Sequence, residues 1–237
     1  MPIADRVVLI AGATGGLGRA AAEAFAAAGA RLALCGTDRD RLAAVAADLG
    51  LADDRWVAAV GDLREPDGGR AVAAAATERF GRIDVLLHLV GGFAGGTPIV
   101  DSDRGELQAM LDQHVWTTLG IVQAVVPGMI DREWGRVIAA SSVAAANAPA
   151  KSGPYAAAKA AQETLLRSLA KEVAGRGVTV NLVAIRAIDE QHERETAASP
   201  KNASWTTPAE IAATLLFLAS DEAAPINGVR IALDGRA

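Results

Sequence analysis

Short apolar segments of strand length alternate with helix-forming segments along the whole chain of 237 residues. The strand-like segments span residues 6–11, 31–35, 56–60, 84–90, 136–140, 178–183 and 229–233. Helical stretches lie between them, near residues 19–28, 39–49, 66–80, 104–131, 154–174 and 207–219. This order is typical of parallel strands joined by right-handed crossovers. We therefore expect one α/β domain over residues 1–237, with a doubly wound parallel sheet of about seven strands and helices on both faces.

The first strand runs directly into a glycine-rich turn, Gly12-Ala13-Thr14-Gly15-Gly16-Leu17-Gly18, which opens an alanine-rich helix. Glycines allow a tight turn and let a pyrophosphate approach the amide groups at the helix N-terminus. The spacing differs from the general Gly-x-Gly-x-x-Gly dinucleotide fingerprint, but the strand–turn–helix context is the one that nucleotide binding requires. The sequence thus favours a Rossmann-type nucleotide fold over a simple turn, with the ligand at the carboxyl ends of the strands.

Tyr155 and Lys159 lie four residues apart in a helical segment, which places both side chains on one helix face. An ammonium beside a phenol favours the phenolate, so we expect it to lower the tyrosine pKa from its usual value near ~10. The pair therefore predicts a general acid or base. The alternative is an exposed pair without a function.

Bulk properties exclude several classes of protein. A formal net charge of −5 argues against a nucleic-acid surface. The only cysteine, Cys35, lies in an apolar run, so no disulfide framework is expected, and no histidine or carboxylate spacing predicts a metal site. Every apolar stretch is too short to cross a membrane, and the chain begins close to a strand without room for a signal peptide. A cytoplasmic protein is the expectation.

Four motifs in register resemble the short-chain dehydrogenase/reductase family. They are Gly12-x3-Gly16-x-Gly18, Asp62-Leu63, Ser142 and Tyr155-x3-Lys159. The resemblance covers essentially the whole chain, to Asp234-Gly235. Shorter matches at 90–96, 115–117, 188–189, 205–206 and Gly235-Arg236 resemble the dihydropteridine reductase branch. That branch generally lacks the serine present here as Ser142, which favours a carbonyl reductase on a related scaffold.

The resemblance implies an NAD(P)-dependent oxidoreductase that transfers a hydride between a nicotinamide cofactor and a small carbonyl or alcohol substrate. Tyr155 would be the general acid or base, Ser142 would donate a hydrogen bond to the carbonyl oxygen, and Lys159 would bind the nicotinamide ribose. Asp62 would accept from the adenine amino group. The expected cofactor-binding residues are Gly12, Thr14, Gly16, Leu17, Gly18, Thr37, Asp62, Leu63, Gly91, Tyr155, Lys159 and Ile188. Local alternatives are a strand-end serine for Ser142 and a helix capping box from Asp62 to Glu65.

The chain also departs from the family pattern near the expected site. His88-Leu89-Val90-Gly91 replaces Asn-Asn-Ala-Gly, Ile185-Arg186 replaces Pro-Gly, and Glu190 replaces a threonine close to the expected cofactor phosphates. His114 stands where the family has a further catalytic asparagine. Because an imidazole titrates near pH ~6.5, we expect His114 to join the catalytic residues as a proton relay. All three histidines are expected to face the cleft.

The cofactor is expected to be NADP, with NAD as the alternative. An acidic residue at the end of the second strand would bind the adenosine ribose of NAD, and here that position is Gly36, followed by Thr37. Arg39 or Arg41 would be in reach of a 2′-phosphate or would be solvated helix charges. Two other functions stay open: a cyclase, dehydratase or isomerase on the same fold, and a nucleotide-binding regulator.

Two further expectations concern the lid and the assembly. Residues 186–205 are polar and without clear periodicity, which is typical of a substrate lid or of a plain surface loop. The helices at 104–131 and 154–174 carry broad apolar faces. In the family these helices pair across a two-fold axis, so a homodimer or homotetramer is expected.

Overall fold

A computed structural model describes residues 3–234. Seven parallel strands form one sheet in the order β3-β2-β1-β4-β5-β6-β7. They are β1 Val7–Ala11, β2 Arg31–Gly36, β3 Trp56–Val60, β4 Val85–His88, β5 Gly135–Ser142, β6 Val178–Ile185 and β7 Arg230–Leu233. The strand order reverses between β1 and β4. In sheets of this kind ligands bind at that point, beyond the carboxyl ends of the strands.

Helices cover both faces of the sheet. They are α1 Gly16–Ala27, α2 Arg39–Asp48, α3 Gly68–Phe80, α4 Arg104–Leu111, α5 Thr117–Asp131, α6 Ala144–Asn147, α7 Gly153–Glu172, α8 Glu193–Thr196 and α9 Pro208–Ala219. A π-helical turn, Asp112–Trp116, joins α4 to α5. No helix within residues 3–234 combines the length and the apolarity needed to cross a membrane.

The core lies in two layers because buried parallel strands are apolar on both faces. One layer packs α1 and α9 against the sheet around Phe25, Ile10 and Leu215. The other packs α3, α5 and α7 around Leu9, Ile121 and Leu166. The expected site residues lie at the carboxyl edge of the sheet, at the end of β5, in the loops and at the starts of α1 and α7.

The expected fold class is confirmed, and the seven predicted strands agree closely with the observed ones. Three local features differ from the expectation. The long helix over 104–131 is interrupted by the π-helical turn, and α6 and α8 were not predicted. The capping box at Asp62 is wrong, because α3 begins at Gly68 after Asp67. The Gly235-Arg236 motif lies outside the described residues.

Candidate active site

The glycine-rich turn between β1 and α1 has room only for glycine at two positions. Gly12 has a φ of +90°, which disfavours any residue with a side chain. A Cβ atom on Gly18 would lie 2.1 Å from the Gly12 carbonyl oxygen, so the turn and the helix could not pack as they do. The first turn of α1 has no side-chain cap and no acidic residue. Its amide groups are therefore a suitable site for a ligand phosphate.

Two adjoining clefts form a groove along the carboxyl edge of the sheet. The first, of about 390 Å³, lies over the glycine-rich turn and reaches Tyr155 and Lys159. The second, of about 430 Å³, extends from Gly12 across the ends of β2 and β3. Every expected cofactor-binding residue lines one of them. Gly12, Gly16, Leu17, Gly18, Gly91, Tyr155, Lys159 and Ile188 line the first, and Gly12, Thr14, Thr37, Asp62 and Leu63 line the second. The groove therefore fits an elongated dinucleotide.

Asp62 lies in the second cleft as expected, but its carboxylate already has a partner. Arg64 donates to it from Nε and Nη2, at 2.9 and 2.6 Å, and from its backbone amide. The hydrogen bonds from Arg64 hold the pKa of Asp62 below its usual value. An adenine amino group would have to share this carboxylate with Arg64.

Ser142, Tyr155 and Lys159 converge on the first cleft. Ser142 ends β5, where it pairs with Ile185 of β6, and the other two lie one turn apart on α7. The Ser142 hydroxyl accepts a hydrogen bond from the Ala144 amide at 3.2 Å, so it also has the local role considered above. That bond leaves the hydroxyl proton available, because a serine hydroxyl both donates and accepts.

The environment of Tyr155 differs from the expected one. Burial raises the pKa of Tyr155, and a hydrogen bond with Ser142 acts in the opposite direction. The expected lowering of this pKa by Lys159 is therefore wrong. The Lys159 ammonium is buried and donates instead to the Ala140 carbonyl and to the Gln162 side-chain oxygen, both at 3.0 Å. Burial lowers the pKa of Lys159 to about 8.

Gln162 is a site residue that the sequence analysis missed. It is fully buried, accepts from Lys159 and donates to the Thr118 hydroxyl at 2.9 Å. Thr118 in turn donates to the His114 carbonyl at 2.6 Å. The only available signal was a glutamine three residues after Lys159, on the inward face of an alanine-rich helix.

Glu163 is a second missed residue, and it supports the end of β5 from behind. Its buried carboxylate accepts from the Ser141 hydroxyl at 2.7 Å and from Arg230 Nε at 2.9 Å. Arg230 also donates to the Ser142 carbonyl at 3.1 Å. These contacts fix the backbone that presents Ser142 to the cleft.

His114 lies in the π-helical turn beneath the site. Its ring packs edge-on against Tyr155 with centroids 5.5 Å apart, and its Nε2 lies 3.0 Å from the Gly92 carbonyl oxygen. Its Nδ1 atom is buried and has no hydrogen-bond partner among residues 3–234. Burial, followed by the Lys159 charge, lowers the pKa of His114 to about 4. The expected titration near pH 6.5 is therefore wrong for this environment.

None of the three histidines lines the clefts, so the expectation that all three face them is wrong. His88 ends β4 and is fully buried, with its pKa lowered to about 3 by burial and by Lys159. His192 is exposed on the segment after β6. Within residues 3–234, no group of three histidine, cysteine, aspartate or glutamate side chains is placed to hold a metal ion.

The segment after β6 brings Arg186 and Glu190 to the cleft. Glu190 Oε1 would lie 2.3 Å from a Cβ atom on Gly16, so the carboxylate stands directly over the glycine-rich turn. A further cavity, of about 480 Å³, adjoins Ser142 and Tyr155 and is lined by polar groups of Asn147, Ser152 and Arg186. This cavity has the position and the polarity of a substrate pocket.

Comparisons with known proteins agree with this geometry. A family model described as short chain dehydrogenase matches residues 6–201. The chain is 31% identical to the 3-oxoacyl-acyl-carrier-protein reductase FabG of Vibrio cholerae, over 99% of the chain and 98% of the relative. It is 29% identical to a 2,3-dihydroxy-2,3-dihydro-p-cumate dehydrogenase of Pseudomonas putida, over 99% and 95%. The solved structure of levodione reductase superposes with a TM-score of 0.88 at 30% identity, over 98% of this chain and 97% of that one.

Proposed function

The chain belongs to the short-chain dehydrogenase/reductase family and is an NAD(P)-dependent oxidoreductase, and we propose that Ser142, Tyr155 and Lys159 are the residues that carry its reaction. The substrate is a small molecule that is interconverted between carbonyl and alcohol. The observation that carries the proposal is that these three side chains line the same cleft as the glycine-rich turn. The reported relatives, each named as a dehydrogenase or reductase, support redox chemistry over the cyclase, dehydratase, isomerase or regulator alternatives.

Each of the three side chains has a separate task. When bound, the nicotinamide supplies or takes up the hydride. Tyr155 donates a proton to the substrate oxygen during reduction and accepts it during oxidation. Ser142 donates a hydrogen bond to the same oxygen and stabilises the negative charge that develops on it. Lys159 would bind the nicotinamide ribose, and Gln162 positions its ammonium.

His114 is proposed as a neutral positioning residue beneath Tyr155. A pKa of about 4 keeps its ring uncharged at neutral pH. Its edge-on contact with Tyr155 and its hydrogen-bonding distance to Gly92 hold the floor of the cleft. In this role it supports the proton donor without gaining or losing a proton near pH 7.

NADP is the proposed cofactor. The groove ends at Gly36 and Thr37, and neither offers a carboxylate to the adenosine ribose. Asp38, the next residue, accepts hydrogen bonds from the Asp40 and Arg41 amides and thereby caps α2. Arg39 and Arg41 are exposed and form no ion pair among residues 3–234. Both are therefore available to a 2′-phosphate at this end of the groove.

Several coarser features complete the proposal. We assign residues 1–237 to one domain, with residues 186–205 as its lid. An apolar groove of about 340 Å³ between α5 and α7, partly lined by Leu165 and Leu169, supports assembly into a homodimer or homotetramer.

We place the enzyme in the cytoplasm, where both nicotinamide nucleotides are available. Neither a membrane nor a nucleic acid has a part in this function.

Titration with reduced nicotinamide nucleotides tests the proposal. Nicotinamide fluorescence should change on addition of NADPH and NADH, with NADPH binding tighter and in the micromolar range. Replacing Arg39 by alanine should weaken NADPH about tenfold and leave NADH within about twofold, because only NADPH carries the extra phosphate. Arg104 provides a matched alanine control, because it is exposed, begins α4 as Arg39 begins α2, and forms no ion pair within residues 3–234. No binding of either nucleotide would overturn the assignment.

A further inference from the structure

Glu190 carries a carboxylate into the part of the cleft that a cofactor pyrophosphate needs. The side chain lines the first cleft together with Gly15, Gly16 and Gly18. Its Oε1 and Cδ atoms would lie 2.3 and 2.7 Å from a Cβ atom on Gly16, the first residue of α1. Glycine at this position therefore leaves space that Glu190 itself occupies.

Helices near the groove differ in their N-terminal caps, and α1 shares with α3 and α7 the lack of a side-chain cap and of an acid in the first turn. Asp38 caps α2, Asp103 caps α4 and Thr207 caps α9, each through its side chain. Helix α1 has no such cap and no acid in its first turn. Free amide groups at a helix N-terminus attract an anion, and Glu190 is the anion that the chain places there.

The backbone on both sides of Glu190 is held in place. The Asp189 carboxylate accepts from the Glu193 and Arg194 amides at 2.7 and 3.0 Å, and the Asp189 amide donates to the Thr206 carbonyl at 2.9 Å. Arg194 pairs with both oxygens of Glu210 at 3.0 Å. The Glu190 side chain itself is exposed and has no hydrogen bond or ion pair within residues 3–234. It can therefore rotate, whereas its attachment point is fixed.

We propose that Glu190 is an internal competitor of the cofactor pyrophosphate and that it sets the affinity of the enzyme for dinucleotides. The inference rests on the proposed function, since it concerns the same groove. The bound pyrophosphate and the carboxylate are both anions, and the carboxylate already occupies space over the amide groups at the start of α1. Binding must therefore displace the side chain and hold it close to a like charge, and both requirements weaken the complex. Fast release of the bound nucleotide follows from this arrangement.

The test compares the wild type with Glu190→Gln, which keeps the side-chain shape and removes the charge. Calorimetry should give an affinity for NADPH and for ADP-ribose about tenfold higher in the variant. Adenosine, which has no phosphate, should bind both proteins equally. Raising the ionic strength should reduce the difference in NADPH and ADP-ribose affinity between the two proteins, because salt screens repulsion between exposed charges. Glu193→Gln, three residues further along the lid and outside the cleft, is the matched control and should match the wild type.

The possible results separate the inference from the function on which it rests. An unchanged or weaker affinity of Glu190→Gln for ADP-ribose, with measurable binding to the wild type, would overturn the inference and leave the oxidoreductase assignment intact. An equal gain in affinity for ADP-ribose with Glu193→Gln would also overturn the inference. The effect would then come from the overall charge of residues 186–205 and not from Glu190. Absence of nucleotide binding in both proteins would overturn the proposed groove and the inference together.

Discussion

The Lys159 ammonium lies 3.0 Å from the Gln162 side-chain oxygen, and this bond ties the cationic residue of the site to the core. Gln162 also donates to Thr118, whose hydroxyl bonds the backbone of the π-helical turn. Interruptions of this type within helices are frequent at functional sites. The ammonium is therefore held by Gln162 of its own helix, α7, and through Gln162 by Thr118 of α5.

Replacing Gln162 by leucine should lower the pKa of Lys159 below its value of about 8, because the charged form loses an acceptor. A hydrogen bond to a charged group contributes about 1.5–3 kcal/mol, so we expect the pKa of Lys159 to fall by about one to two units. In pH–rate profiles, the alkaline loss of kcat should move to lower pH by this amount. Gln108→Leu, on an exposed face of α4, is the control. An unmoved alkaline limb would contradict the role of Gln162.

Tyr155 is the only tyrosine in the chain, so tyrosinate absorbance reports on it alone. Burial raises its pKa in the protein without ligands, and the absorbance midpoint should therefore lie above ~10. Tyr155→Phe should remove the signal and so verify the assignment. A midpoint below that of a free tyrosine would mean that Lys159 lowers the pKa even without a nucleotide, against the geometry described here.

His114 should affect stability in acid rather than the rate near neutral pH. Its pKa is about 4 in the folded protein and near ~6.5 when unfolded, so the unfolded state binds more protons in between. Stability contributed by the neutral ring is therefore complete above pH ~6.5 and falls as the pH drops towards 4. His114→Asn should reduce this loss of unfolding free energy by about 3 kcal/mol between pH 7 and pH 4, measured by urea denaturation.

The matched control for this measurement is His192→Asn. His192 is exposed and has a φ of +54°, a conformation that asparagine tolerates. Its loss should leave the pH dependence of stability unchanged. The account of His114 fails if His114→Asn instead abolishes a step in kcat near pH 6.5.

Assembly should depend on the apolar groove between α5 and α7. Leu165 is 37% exposed at its edge, and a charge there would have to be buried in any dimer formed by these helices. Leu165→Glu should convert a dimer or tetramer into smaller species in light scattering at micromolar concentration. Val100→Glu introduces the same charge on an exposed loop and should leave the mass unchanged. A monomeric wild type would contradict the assembly proposal.

The sequence was sufficient to predict the strands, the glycine-rich turn and the shared cleft of Ser142, Tyr155 and Lys159. The strands and the turn follow from local composition, and the Tyr155–Lys159 pair follows from spacing along one helix, whereas Ser142 came from the resemblance to the family. The π-helical turn was not predictable, because a slip in backbone hydrogen bonding leaves the hydrophobic period almost unchanged. The pKa values of Tyr155 and His114 were misjudged for a related reason. Burial, to which segments distant in the chain contribute, is the largest cause of both pKa shifts.

The sequence also did not predict contacts between elements that are distant along the chain. Gln162 and Thr118 are 44 residues apart, and Glu190 meets Gly16 only because the segment after β6 folds back over the start of α1. The position of Glu190 in the sequence did predict a place close to the cofactor phosphates. It could not show that the carboxylate lies against Gly16 of the glycine-rich turn. The resemblance to the dihydropteridine reductase branch stays a prediction.

The most direct test of the central claim is the rate of carbonyl reduction by Tyr155→Phe, measured with NADPH at saturating cofactor. The substitution removes one oxygen and little packing, so folding and nucleotide affinity should match the wild type. If Tyr155 donates the proton, kcat should fall by roughly 10²–10⁴-fold, as expected for the loss of a general acid. A folded Tyr155→Phe variant that binds NADPH and turns over at the wild-type rate would contradict the assignment of Tyr155 as the proton donor.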